Sequence, residues 1–143
     1  MMGRWWGLGL FWCWFTPAMA FEVHEFQLEN GLKILVRPDH RAPVVVSQLW
    51  YRVGAADEVD GTTGVAHLLE HLMFKGTAQV GPGEYSRQIA ALGGQENAFT
   101  SYDFTAYHET FAKQHLGAVL ALEADRMRNL QFDPVAFRKE LEV

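Results

Sequence analysis

Cysteine is almost missing from this chain. Its one cysteine, Cys13, lies within the first 20 of 143 residues. If that segment is removed, no disulfide and no thiolate ligand remains, so any cofactor falls to His, Asp, Glu or backbone groups. Basic residues form no run or patch. Lys and Arg number 12 against 17 Asp and Glu, for a net charge of −5, with the acidic residues spread along the chain. A nucleic-acid partner therefore has no electrostatic support. After the N-terminal segment, no stretch approaches the roughly 20 apolar residues that a membrane span needs. Internal repeats and low-complexity segments are also absent.

The N-terminal segment itself, "MMGRWWGLGLFWCWFTPAMA", holds four of the five tryptophans. It combines a basic residue (Arg4), an apolar run from Trp5 to Phe15 and the sequence Ala18-Met19-Ala20. This is the layout of a secretory signal with an A-x-A cleavage site, which makes residues 1–20 a signal and Phe21 the mature N-terminus. An uncleaved anchor is the alternative, but the apolar run is only about half the length of a spanning helix. A lipoprotein signal would put its cysteine just after the cut, whereas Cys13 lies before it. The expectation is an exported, periplasmic or secreted protein with no stable membrane anchor after cleavage.

From Phe21 onward the patterning is α+β. "HEFQLENGLKILVRPD" reads as two strands around the Asn30-Gly31 turn, and "APVVVSQLWYRVGA" as a long, central strand. "GTTGVAHLLEHLMFKGT" switches to helical period, with Thr62 or Thr63 as N-cap and Gly76 as the stop. "TAQVGPG" is a loop, and "EYSRQIAALGG" a short helix closed by Gly93-Gly94. "QENAFTSYDFTAYHETF" alternates in a way that suits one bent strand or two. "AKQHLGAVLALEADRMRNL" is a long amphipathic helix. "FDPVAFRKELEV" opens another, with Asp133 as N-cap and Pro134 in the first turn. This helix is still running at Val143, and the chain reads as part of a longer protein: a signal, then residues 21–143 as the N-terminal part of a domain.

The chemistry concentrates in "GVAHLLEHLMFKGT", residues 64–77. At about 100° per residue, His71 lies some 40° to one side of His67 and Glu70 about 60° to the other. All three project from one arc of the helix. Two imidazoles at i and i+4 can bind one zinc ion, and the glutamate can take a proton from a water that the metal activates. The order is the inverted motif H-x-x-E-H. On these residues alone, a surface helix with two partly exposed histidines and an ion-paired glutamate remains open. His24, His40 and His115 are isolated and read as solvated, while His108 lies in a strand that could face the site.

Three blocks, "GVAHLLEHLMFKGT", "GGQENAFTSYDFTAYHE" and the helix with "FRKELEV", occur in an order and spacing that resemble the insulinase (pitrilysin) family of zinc metallopeptidases, which includes the mitochondrial processing peptidase. The resemblance runs from about Glu25 to Val143. It implies the family's fold, a mixed, mainly antiparallel sheet packed against helices, and one zinc ion per catalytic domain. It implies that His67 and His71 are zinc ligands and that Glu70 is the general base. Asn97, Ala98 and Phe99 match the edge strand that holds an extended peptide through its backbone, and Glu140 matches an acidic residue that supports the site. The family's third ligand is a glutamate about two helical turns after Glu140, which falls just beyond Val143. Glu142, about 200° around the helix from Glu140, does not replace it. The implied function is zinc-dependent endopeptidase activity on extended or unfolded peptides, with a second homologous half that is fused or a separate subunit. The alternative is a non-catalytic peptide-binding or scaffold subunit of the same fold, in which the three motif residues are commonly replaced; here all three are present. A metal-binding module without hydrolysis is a further alternative.

Overall fold

The computed structural model describes residues 22–142; the signal segment expected at residues 1–20 lies outside the described residues. The architecture is α+β, with five strands, all paired antiparallel, and four α-helices among those residues. No helix among them is long and apolar enough to cross a membrane.

Two compact units divide the chain at His40 and Arg41. In the first, β1 (His24–Gln27) and β2 (Lys33–Val36) form an antiparallel hairpin in which Glu25 pairs with Leu35. Gly31 takes φ 87° at the turn, and the Asn30 side chain accepts a hydrogen bond from the Leu32 amide at 3.1 Å. The Asn-Gly signal thus acts through a left-handed glycine and a side-chain turn bond.

The second unit holds a three-stranded sheet in the order β3 (Val44–Tyr51), β5 (Thr105–Ala112), β4 (Gln95–Thr100). The central strand is therefore β5 and not β3, which corrects the sequence expectation. In β3 the exposed residues Val44, Val46 and Trp50 alternate with half-buried ones. Its β-branched content suits a pleated, half-covered surface and does not by itself signal a central position. In β5, Thr105, Ala106, Tyr107, Glu109 and Phe111 are all buried, and its histidine and glutamate hide that from a composition reading.

The alternating segment at 95–112 resolves into two strands because residues 101–104 make a turn anchored far away in sequence. Ser101 and Tyr102 carbonyls accept from the Ala55 and Ala56 amides at 3.1 and 2.8 Å. A Cβ on Gly54 would lie 2.4 Å from the Ser101 carbonyl oxygen, so only glycine lets the end of β3 approach this turn. That clamp fixes where β4 begins to return.

One face of the sheet carries the helices. Tyr85 and Ile89 of α2 (Glu84–Ala91), Val119 of α3 (Leu116–Asn129), Phe111 and Val80 form the core, with Phe74, Val45, Leu92 and Leu122 around it. The site-bearing helix α1 (Val65–Leu72) starts at Gly64, whose φ is 92°. Neither Thr62 nor Thr63 caps it. The Glu58 carboxylate does so from outside the helix, accepting from the Gly64 and Ala66 amides at 2.8 and 2.9 Å, which holds that carboxyl below its usual range. A carboxylate at a helix start satisfies orphan amides and matches the helix dipole. The helix closes through tight turns at Phe74 and Lys75, and Gly76 follows at φ 107°. Beyond it, the Gly76 carbonyl accepts from the Gln131 amide at 3.1 Å, tying the exit of α1 to the exit of α3. This sets the start of α4 (Pro134–Glu140), where Asp133 caps the Ala136 amide at 2.9 Å as the sequence predicts.

Candidate metal centre

The two imidazoles of α1 stand together. The His67 and His71 rings are 4.6 Å apart between centroids and inclined at 80°. His67 is exposed and His71 half-buried. The Nδ1 atom of His71 lies 2.8 Å from Glu140 Oε2, so α4 supplies an acceptor to one ring nitrogen. The other Glu140 oxygen pairs with Lys75 Nζ. Hydrogen bonds from Lys75 and then from His71 hold the Glu140 carboxyl below its ordinary range. A carboxylate behind an imidazole selects its tautomer and raises its basicity as a ligand.

Glu70 is seated against the sheet. It is 8% exposed, and Thr100 Oγ1 of β4 donates to its Oε2 at 2.5 Å. The helix therefore presents a histidine pair and, beside it on the same arc, a carboxylate that bonds to β4. Strand β4 is an edge of the described sheet. Asn97 pairs with His108, Ala98 with Tyr107 and Phe99 with Ala106. The Phe99 ring lies 43% exposed beside Trp50 and Phe104, at centroid distances of 6.1 and 5.8 Å. Ala98 and Thr100 face the helices, whereas Asn97 and Phe99 face away. The structure thus brings His67, His71 and Glu140 together and bonds Glu70, on the same helix, to the edge strand.

The donor set suits a transition metal. It offers two imidazoles one helical turn apart, one of them backed by a carboxylate. Among the described residues, no three His, Cys, Asp or Glu side chains are grouped so as to hold a metal ion, so the described part provides a histidine pair and its supports.

A sequence profile of the insulinase family (peptidase family M16) matches residues 33–143. The chain belongs to this family. Among insulinase-family relatives, the zinc protease PqqE of Helicobacter pylori is 35% identical over 117 residues, covering 81% of this chain and 26% of that protein. A probable mitochondrial-processing peptidase subunit beta of Arabidopsis thaliana is 31% identical over 124 residues, covering 87% and 23%. Among solved structures, a protease from Helicobacter pylori superposes with a TM-score of 0.83 at 33% identity, over 86% of this chain and 30% of that one. The first half of the periplasmic protease PqqL from Escherichia coli gives 0.74 at 30% identity, over 80% and 26%. The chain thus spans about a quarter of the length of the relatives it matches.

Two participants escaped the sequence reading. Lys75 lies at i+4 from His71, and that spacing could have paired it with the site. Thr100 carries no local signal, because its contact with Glu70 joins residues thirty positions apart.

Proposed function

We propose that this chain is the N-terminal part of an exported zinc-dependent endopeptidase that acts on extended or unfolded peptides. The observation that carries the reading is the arrangement on α1: a histidine pair whose His71 is backed by Glu140, with Glu70 seated against an edge strand. His67 and His71 would hold the zinc ion, with a third ligand, a glutamate, about two helical turns past Glu140. When bound, zinc supplies a Lewis acid that polarises the scissile carbonyl and makes water acidic enough to react at neutral pH. Glu70 accepts the proton of the attacking water and returns it to the leaving amine. Glu140 keeps the His71 ring in one orientation, and Lys75 holds Glu140. The backbone of Asn97, Ala98 and Phe99 receives the peptide as an added strand. A second homologous half, fused or as a partner subunit, would close over the substrate; one structural neighbour is itself the first half of a larger protease.

The full-length protein is expected to cleave an unstructured peptide, to stop when a chelator is added and to recover with Zn²⁺. Activity that persists in a chelator at zero bound zinc would refute the reading. Export is supported by the layout of residues 1–20 and by the periplasmic relative. Mass spectrometry of secreted or periplasmic protein should find Phe21 as the first residue, and an intact Trp-rich N-terminus in the membrane fraction would sink this part of the proposal.

A further inference from the structure

Thr100 makes the hydrogen bond that holds the Glu70 carboxylate against β4. The direction of that bond follows from counting protons. Thr105 Oγ1 lies 2.9 Å from the Val53 carbonyl oxygen and 3.5 Å from Thr100 Oγ1. A carbonyl oxygen only accepts, so the Thr105 proton goes to Val53 at the shorter distance. The Thr100 hydroxyl is then left with its own proton, and the Glu70 Oε2 atom 2.5 Å away accepts it. Thr100 therefore has one orientation open to it, as donor to Glu70 Oε2.

We propose that Thr100 is a positioning residue for Glu70 in peptide hydrolysis, pinning Oε2 so that Oε1 is the oxygen that meets the attacking water. This rests on the peptidase reading above. A glutamate has three rotatable side-chain bonds, and a base must sit within hydrogen-bond reach of the proton it removes. Small displacements of a reacting group cost much rate. Thr100 suits the task because its backbone belongs to β4, two residues from Ala98. The strand proposed to seat the peptide thus also orients the base, so both are placed by one rigid element. Valine would fill the same space, with β propensity at least as good, but would leave the buried Oε2 without its donor.

The test uses the full-length, zinc-loaded enzyme. Thr100→Val should lower kcat by about 10- to 100-fold while KM stays within about twofold of the wild type. Bound zinc should remain at the wild-type stoichiometry, since neither imidazole touches Thr100. Thr100→Ser restores the donor and should recover most of kcat. Ser and Ala at this position differ by the hydroxyl alone, so Thr100→Ala should fall well below Thr100→Ser even if valine misfolds. In a Glu70→Gln background the Thr100→Val change should have little further effect, because the two residues act as one unit. Equal kcat for the serine and alanine variants, an effect confined to KM, or full additivity with Glu70→Gln would each overturn the proposal. Failure of the peptidase reading itself would look different: the wild-type enzyme would show no chelator-sensitive turnover.

Discussion

Glu70→Gln in the full-length enzyme is expected to lose about 10²- to 10⁴-fold in kcat, the usual contribution of a general acid–base group. Glutamine has nearly the same shape, and its amide oxygen can still accept from Thr100, so the packing of α1 against β4 survives. His67, His71 and the Glu140 contact behind His71 are untouched. Zinc content, measured by atomic emission after dialysis, should therefore equal that of the wild type, and KM should change little. Loss of the base with retention of metal separates the enzyme from a module that only binds zinc. The contrasting variant is His67→Ala, which should lose both the metal and the activity. If Glu70→Gln released the zinc, Glu70 would be a ligand and the proton-transfer role would have to pass to another group.

The elements whose signals are local were legible in the sequence. The Asn30-Gly31 hairpin, the helix with His67, Glu70 and His71, and the Asp133 cap of α4 each depend on residues within a few positions of one another. The misread features depend on distant partners. The cap of α1 comes from Glu58 across a loop, so nearby threonines were a false lead. The break between β4 and β5 is set by Gly54, some fifty residues from the turn it clamps. The place of β3 at a sheet edge follows from pairing and not from its composition. At the site, helical spacing placed the three motif residues on one arc, but the contact from Glu140 to His71 spans sixty-nine positions and Glu140 was reachable only through the family resemblance. The largest omission was in α3, where amphipathic period does not single out Glu123 and Arg126. Both are buried, because α2 and β5 bring polar partners to meet them.

That buried cluster carries the largest stability effect expected in the chain. Arg126 is 2% exposed, and its Nη2 lies 2.5 Å from Glu123 Oε2 and 3.2 Å from Glu109 Oε1. Its guanidinium also stacks near the Tyr85, Tyr107 and Phe74 rings, at 4.3, 4.6 and 5.1 Å from their centroids. Arg126→Met keeps much of the volume but leaves the carboxyl groups of Glu109 and Glu123 in the core without their cation. Removing one partner of a buried ion pair costs about 3–5 kcal/mol, a large share of a domain's stability. Thermal or urea denaturation should show that loss, or no folded protein at all. The cluster also fixes a pH dependence. Tyr85 Oη lies 2.8 Å from both Glu109 Oε1 and Glu123 Oε2, yet a phenol has one proton to donate. The second short contact calls for a proton on one of the carboxyl groups. Glu109 suits this, because burial first and the Glu123 charge second push its pKa up to about 7. A carboxyl raised in the folded state binds its proton more tightly there than in the unfolded chain. Its contribution is complete below the ordinary carboxylate value and is lost as pH rises through about 7. The melting temperature of zinc-free protein should therefore fall between pH 5 and pH 8. Glu109→Gln, neutral at every pH and still able to bond Tyr85, should flatten that slope while Arg126 keeps its pairing with Glu123. A slope unchanged in Glu109→Gln would mean that the proton resides elsewhere in the cluster.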